Sequence, residues 1–474
     1  MKVMFIEPPK KFWFLMGEYL PPPLGIIQLA AYVEHKNEEI EIEVVDSQAE
    51  ALDWKGLEKR IEAFNPNIVA SSGLATCNAY AAVRTLAIAK KVDKDIITIA
   101  GGQHFTATAH ESLKQYPEID IIVRGEGEQT LSELIQAISD KRSLSKVKGI
   151  SYRKDGEIMS TQSRALIENL DDLPFPGYHF LKDFINKYHF TMMAGPDVVY
   201  LLIEGSRGCQ YRCSFCTQWR HWGGKYRFKS GRRIADEMEF FYKEYDGKFL
   251  WLTDDNFSLR DRAKDLCDEI MRRRIGDEIM WFVQARCDDV VRNKDLLPKL
   301  RKAGNRWMLL GAESHSKRTL QDFNKKINPE ETKEAVRLLK ENDIFAQTTF
   351  IIGNRNDNAE SIEELRKFVE YVDPDLAIFM VLTPFPGTDV YDRAMEKGWI
   401  EDFNLANYDM IHPIMPTETL SIEALRKELY RCYRSFYGSW SRRLKGILSP
   451  NRFKRKVYRY MASRALLNQL KNML

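Results

Sequence analysis

Apolar residues in the first quarter of the chain fall in short runs separated by amphipathic stretches. Lys2–Ile6, Glu41–Val45, Ile68–Ser71, Ile96–Ala100 and Ile119–Val123 read as buried strands, and Gly25–His35 and Ala79–Lys91 between them carry helical periodicity. This alternation predicts a doubly wound, Rossmann-like parallel sheet, whose ligands bind beyond the carboxyl ends of the strands. The loops at those ends are Ser71–Asn78, Gly101–Thr106 and Gly125–Glu128. A hairpin pattern near Gly149–Met159 and the proline-bearing stretch LDDLPFPGYHF follow and read as a connector. Six further strand-like runs then begin at Val198–Glu204, Phe249–Thr253, Ile279–Ala285, Arg306–Gly311, Gln347–Gly353 and Leu376–Leu382. Six strand–helix units predict a parallel barrel left open on one side, since a closed barrel of this kind needs eight. Beyond about residue 400 the pattern turns helical. The expected divisions are 1–140, 141–195, 196–400 and 401–474.

At 474 residues and 44% hydrophobic content, the chain has apolar material for two or three cores. The 71 Lys+Arg against 68 Asp+Glu leave a formal +3, which gives no global argument for nucleic acid as a partner. That near-neutrality conceals a division. Residues 431–474 hold twelve Lys or Arg and no Asp or Glu, so the tail carries +12 and the first 430 residues −9. Such a tail reads as a solvated basic helix, or as a dock for an acidic protein, a propionate-bearing porphyrin or an anionic membrane surface. No apolar run reaches the roughly 18 residues of a membrane span, and the start MKVMFIEPPK reads as strand, not signal peptide; a cytoplasmic location is the expectation.

Seven scattered cysteines make no disulfide framework. Cys77, Cys267, Cys287 and Cys432 stand alone and read as small buried residues. Cys209, Cys213 and Cys216 form a C-x3-C-x2-C triplet on a glycine-bearing loop directly after a strand. Three thiolates aimed at one point suit a cubane iron–sulfur cluster with one iron left open, because soft sulfur donors select Fe–S, Zn or Cu(I). Structural zinc with His221 as fourth ligand is the alternative.

The triplet, with Phe215 before its third cysteine and its place at the end of the first barrel strand, resembles the motif of the radical SAM superfamily. TDDNF (Thr253–Phe257), QARCD (Gln284–Asp288), GAES (Gly311–Ser314), FIIG (Phe350–Gly353) and TPFPGT (Thr383–Thr388) match at the following strands in order. The resemblance implies a [4Fe-4S] cluster on Cys209, Cys213 and Cys216, whose open iron binds S-adenosylmethionine and cleaves it reductively. It also implies Asp254 or Asp255 for the ammonium of S-adenosylmethionine, Arg286 for its carboxylate, Glu313 for the ribose, and Ile352 and Gly353 for the adenine, with Ser314 and Phe215 as further contacts.

The N-terminal sheet resembles the cobalamin-binding domain that precedes the barrel in one large class of these enzymes. The residues carrying this are PPLGIIQLAA (Pro22–Ala31), Asp46, GGQHFT (Gly101–Thr106) and RGEGE (Arg124–Glu128). Leu74, Ala75, Thr76, Asn78, Gly101, Gly102, His104, Thr106, Gly125 and Glu126 are the implied corrinoid contacts. The D-x-H-x-x-G signature is absent, so no displaced-histidine ligation is expected. His104 is expected to hydrogen-bond the nucleotide tail or cap the next helix, and the Leu74–Thr76 loop to meet the lower face. A mononucleotide or flavin sheet lacks support, because no G-x-G-x-x-G or Walker loop is present.

Together the two resemblances imply a C-methyltransferase. One S-adenosylmethionine supplies the methyl through cobalamin, and a second supplies the radical that opens an unactivated sp3 carbon. A protein side chain is a candidate acceptor, with the glutamine of methyl-coenzyme M reductase as the specific case, and ferredoxin or flavodoxin would supply electrons. No nucleic acid is expected. NYDMIHPIMPTETL and YRSFYGSW resemble the anaerobic magnesium-protoporphyrin monomethyl ester cyclases, which makes oxidative cyclisation the alternative. A non-catalytic corrinoid or metal scaffold is the alternative of another class.

Overall fold

The computed structural model describes residues 1–10, 19–37 and 39–464. Its contacts divide the chain into two compact units: one of Met1–Phe12, Pro22–Tyr188 and Arg220–Gly223, and one of Trp13–Pro21, His189–Trp219 and Gly224–Leu474.

The first unit is built on β1 (Lys2–Glu7), β2 (Glu41–Asp46), β3 (Ile68–Ser72), β4 (Ile97–Gly101) and β5 (Ile121–Val123), all parallel. They are extended by the antiparallel hairpin β6 (Ile150–Lys154) and β7 (Glu157–Ser160), giving the order β2-β1-β3-β4-β5-β6-β7. Val3, Met4, Ile6, Ile68, Val69 and Ala100 are fully buried, as expected of strands covered on both faces. The chain reverses its direction of winding at β1, so the carboxyl ends of β1 and β3 flank a topological switch point.

The second unit holds six parallel strands, each paired only with its sequence neighbours: β8 (Tyr200–Ile203), β9 (Phe249–Leu252), β10 (Met280–Arg286), β11 (Asn305–Glu313), β12 (Phe345–Ile352) and β13 (Leu376–Val381). This is the expected open barrel. Its amino-terminal end is filled by an aromatic layer. Phe282 stacks on Trp307 with centroids 4.1 Å apart, Phe249 stacks on Phe282 at 5.6 Å, and Phe190 meets Trp307 edge-on at 5.6 Å.

The open side raises the edge-strand problem, because β13 presents unpaired backbone groups. The helix Ile422–Gly438 closes it. Tyr433 Oη donates to Phe379 O (2.7 Å) and accepts from Phe379 N (3.1 Å); Tyr437 Oη does the same at Ala377 (2.7 and 3.2 Å). Four residues of helix advance about 6 Å and two residues of strand about 6.6 Å, so hydroxyls one helical turn apart match alternate strand residues.

The basic tail is less solvated than its charge suggested. Helices Trp440–Ile447 and Arg452–Arg464 form a hairpin, with Gly446 so close to the Tyr458 ring that a Cβ would meet it at 2.0 Å. The hairpin settles on the amino-terminal ends of β12 and β13. Arg442 pairs with Asp373 (2.7 Å), Lys454 with Asp375 (2.6 Å), Asn451 Nδ2 donates to Asp343 (2.6 Å), and Phe453 packs on Phe345. Among the described residues no helix is long and apolar enough to cross a membrane.

Candidate functional site

The chemistry-bearing loop leaves β8 through a clamp. Gly205 N donates to Asp254 Oδ1 (2.9 Å), while Arg262 pairs with Asp254 Oδ2 (2.8 Å) and donates to Gly205 O (2.8 Å). A Cβ on Gly205 would meet Asp254 Oδ1 at 2.6 Å, so only glycine admits this approach. Ser206–Arg207 then pairs with Arg227–Phe228 as a short antiparallel ladder that gathers the loop at its base.

Within the loop, Ser214 is fixed from both ends of its residue. Its N and Oγ donate to Phe323 O and Asp322 O, both at 2.9 Å, and its O accepts from Val390 N. Trp219 Nε1 donates to Cys213 O at 3.1 Å. Phe215 packs edge-on against Phe323 (5.1 Å) in a cluster with Ile351, Leu382, Ala394 and Met415. The loop conformation is thus set by packing before any ligand arrives.

Cys213 is buried, and Cys209 and Cys216 are half-buried. Burial raises all three thiols, Cys216 to about 12, and the thiols interact electrostatically with one another. Among the described residues no three His, Cys, Asp or Glu side chains converge as a single metal ion requires. The donor set that the loop offers, three thiols, is the all-sulfur one that iron–sulfur clusters use.

Around the loop, Asp254 is fully buried with both oxygens engaged by Gly205 and Arg262. Asp255 is half-buried and close enough to Cys209 and Cys216 to raise their thiols. Arg286, at the end of β10, lies 3.7 Å from the Tyr211 ring centroid and is held by Asp288 Oδ1 (2.9 Å) and Lys326 O (2.7 Å). β11 carries a register shift between Gly311 and Glu313, and Glu313 has φ of 63°. Its carboxylate pairs with Lys325 (2.7 Å) and accepts from Thr349 Oγ1 (3.2 Å), all three groups being buried. Ser314 Oγ accepts from Ser316 N at 3.1 Å. Ile352 is buried, and Gly353, with φ of 86°, donates to Asp357 Oδ2 (2.9 Å).

Three residues here carry no sequence motif. Lys325 sits between Glu313 and Cys213, where its charge favours the Cys213 thiolate. Asp357 fixes the turn after β12, with burial raising its carboxyl to about 6. Gln347 shares the inner row of β12 with Phe345 and Thr349 and is fully buried, with neither amide atom hydrogen-bonded. An unpaired buried amide on a barrel's inner row signals a polar ligand.

In the first unit the three loops expected at the sheet edge do meet. Gly73 N donates to Gly101 O (2.9 Å), His104 N to Gly73 O (3.1 Å), and Gly125 N to Thr106 Oγ1 (3.1 Å). Gly102, with φ of 93°, lies so close to Ser72 Oγ that a Cβ would sit 2.7 Å away, whereas Gly125 faces open space. Glu126 Oε2 accepts from Ile167 N (2.7 Å). Leu74 is 68% exposed, Ala75 is exposed beside it, Thr76 is buried and Asn78 is half-buried.

His104 does not cap the following helix. It lies inside the short helix Gln103–Ala107, whose capping residue is Gly102. Its Nδ1 is buried without a hydrogen-bond partner, and burial lowers the imidazole to about 4, so the ring is neutral at ordinary pH. An unsatisfied buried nitrogen beside an exposed apolar loop fits a large apolar macrocycle with polar appendages, which is what a corrinoid is.

Comparison with known proteins matches the regions that hold both candidate sites. The Radical SAM superfamily profile matches residues 203–369 and the B12 binding domain profile residues 17–135. The chain is 32% identical over 440 residues to "Uncharacterized methyltransferase PH0819" of Pyrococcus horikoshii, covering 92% of each chain. It is 33% identical over 421 residues to the anaerobic magnesium-protoporphyrin IX monomethyl ester cyclase of Rubrivivax gelatinosus, covering 88% of this chain and 74% of the cyclase. The fold aligns at a TM-score of 0.72 and 16% identity with the radical S-adenosylmethionine methyltransferase TsrM of Kitasatospora setae, solved with cobalamin and a [4Fe-4S] cluster, over 98% and 99% of the two chains. The chain therefore belongs to the radical SAM enzymes that carry a B12-binding domain, whose cofactors are a [4Fe-4S] cluster, S-adenosylmethionine and cobalamin.

Proposed function

We propose that the protein is a C-methyltransferase that moves a methyl group from S-adenosylmethionine, by way of cobalamin, to an unactivated sp3 carbon. The observation that carries this reading is the end-to-end match to a methyltransferase-named relative, against a cyclase that extends well beyond the aligned region. When bound, the three cofactors supply one-electron cleavage of a sulfonium and delivery of a methyl group to carbon.

The residues divide the work of holding them. Cys209, Cys213 and Cys216 would hold three irons and leave the fourth for S-adenosylmethionine. Asp254 or Asp255 would meet its ammonium, Asp254 while also holding Arg262 and Gly205. Arg286, fixed by Asp288 and Tyr211, would receive the carboxylate. Glu313 and Ser314 would meet the ribose, with Lys325 holding Glu313 in place, and Ile352 and Gly353 would pack on adenine. Phe215 contributes by bracing the cysteine loop on Phe323. At the sheet edge, Leu74, Ala75, Thr76 and Asn78 would underlie the corrin, while Gly101, Gly102, His104, Thr106, Gly125 and Glu126 would line its nucleotide tail.

Two finer assignments rest on the family resemblance: a protein side chain as acceptor, with the glutamine of methyl-coenzyme M reductase as the specific case, and ferredoxin or flavodoxin as reductant. The second reading is an oxidative cyclase, favoured by the 33% identity to the Rubrivivax enzyme. Anaerobic turnover of the reconstituted protein separates the two. A methyltransferase yields S-adenosylhomocysteine together with 5'-deoxyadenosine, whereas a cyclase given its porphyrin yields deoxyadenosine alone. A non-catalytic scaffold yields neither and is indifferent to Cys213→Ala.

A further inference from the structure

The tail hairpin spends one face on the barrel and leaves the other uncovered. On the helix Trp440–Ile447 and the residue that ends it, Trp440, Leu444 and Leu448 are 75%, 55% and 73% exposed. Spaced four residues apart, they form one stripe. Lys445 beside them is exposed, and the Arg443 guanidinium lies 5.5 Å from the Trp440 ring centroid. On the following helix, Val457 and Tyr458 face inward and Arg452 and Arg459 are exposed, while the Lys456 ammonium turns back to donate to Ala194 O. The hairpin's ion pairs run from Arg442 and Lys454; among the described residues Lys445, Arg452 and Arg459 pair with no carboxylate.

We propose that this outer face is a peripheral docking surface for an anionic lipid bilayer. Tryptophan and leucine more than half exposed on a convex two-turn helix, flanked by lysine and arginine, have the make-up of an interfacial helix that settles at the headgroup boundary. With Arg442 and Lys454 spent on Asp373 and Asp375, the cations left on the outer face have no acidic side chain among residues 431–474 to offset them and complement a negatively charged plane. A second copy is a poor occupant, since a two-fold interface would set the same cations against one another. The hairpin covers the amino-terminal ends of β12 and β13, whereas the cysteine loop leaves the carboxyl end of β8. Docking by the hairpin therefore leaves the cysteine loop free of the lipid.

The test is co-sedimentation of the full-length reconstituted protein with phosphatidylcholine vesicles, with and without phosphatidylglycerol, at low and high salt. The expected result is binding only to the anionic vesicles, released by salt. The triple variant Trp440→Ser, Leu444→Ser, Leu448→Ser and the triple variant Lys445→Glu, Arg452→Glu, Arg459→Glu should each lower the partition about tenfold. All changed side chains are on the uncovered face, so circular dichroism and cluster absorbance should stay as in the unmodified protein. Equal binding to neutral vesicles, or partition untouched by both variants, overturns the proposal. So does concentration-dependent self-association that the serine variant abolishes, which would assign the face to a second copy. Binding to soluble polyglutamate without vesicle binding would assign it to an acidic protein and equally overturns it.

Discussion

Two lysine–carboxylate pairs sit at opposite ends of the same barrel. Glu313 and Lys325 meet at 2.7 Å at the carboxyl end of β11, and Asp375 and Lys454 meet at 2.6 Å at the amino end of β13. The chemistry is the same, but the backbones differ. Glu313 stands at a register shift with a left-handed φ, and its lysine reaches toward Cys213. Asp375 sits in ordinary backbone, accepts from Ala346 N, and its lysine arrives from the tail. A non-glycine residue held at positive φ and ion-paired in a buried site is strain that surrounding structure must support, and such strain gathers at functional ends. The first pair stands among the candidate site residues; the second fastens the tail to the barrel. Each barrel end therefore predicts its own response to the same kind of damage.

The largest effect is expected at the cysteine loop. Cys213→Ala should abolish cluster assembly, read as loss of the iron–sulfur absorbance, while lowering the unfolding free energy from urea titration by about 1 kcal/mol or less, because the loop is held by Ser214, Phe215 and Trp219. Lys325→Met should cost about 3–5 kcal/mol by stranding a buried carboxylate, and should weaken S-adenosylmethionine binding roughly tenfold, measured by equilibrium dialysis on the folded fraction. Trp307→Ala, in the aromatic layer, should cost a similar 3–5 kcal/mol or so and leave that affinity unchanged per folded molecule. Lys454→Met should cost about 1–2 kcal/mol, since Lys454 is 19% exposed against 8% for Lys325 and water can take its place at Asp375, again with no change in affinity. Tyr437→Phe, which frees one carbonyl and one amide of β13, should cost about 1 kcal/mol. If Lys454→Met lowered affinity as much as Lys325→Met, the contrast between the two ends would fail.

The sequence made the framework legible because strands buried on both faces print continuous apolar runs. Val3–Ile6 and Ile68–Ala70 could be read directly, whereas the strand read at Gln347–Gly353 begins two residues earlier, at Phe345, and carries Gln347, Thr348 and Thr349 buried in its middle. The cysteine triplet was equally plain, since three like residues at fixed spacing need no tertiary information. Partnership was another matter. Asp254 and Asp255 are adjacent and chemically identical, and only the fold shows that Arg262 claims the first. Lys325 is one of two neighbouring lysines, and nothing local says which one turns inward to Glu313. The tail misled for a related reason: net charge counts cations without the carboxylates Asp373 and Asp375, which lie far away in sequence and next to it in space. The paired hydroxyls of Tyr433 and Tyr437 follow a helical spacing that any amphipathic helix shares, so their role at the β13 edge appears only once strand and helix are placed together.

The claim that methyl transfer to carbon is the chemistry of this chain is tested most directly by following the methyl group itself. The reconstituted protein, supplied anaerobically with cobalamin, reductant, acceptor extract and S-adenosylmethionine bearing a trideuterated methyl, is analysed by mass spectrometry. The expected product carries all three deuteriums together on a carbon-bound methyl and forms in step with S-adenosylhomocysteine and 5'-deoxyadenosine. Steady release of deoxyadenosine with every deuterium still on methionine or unspent S-adenosylmethionine would contradict it.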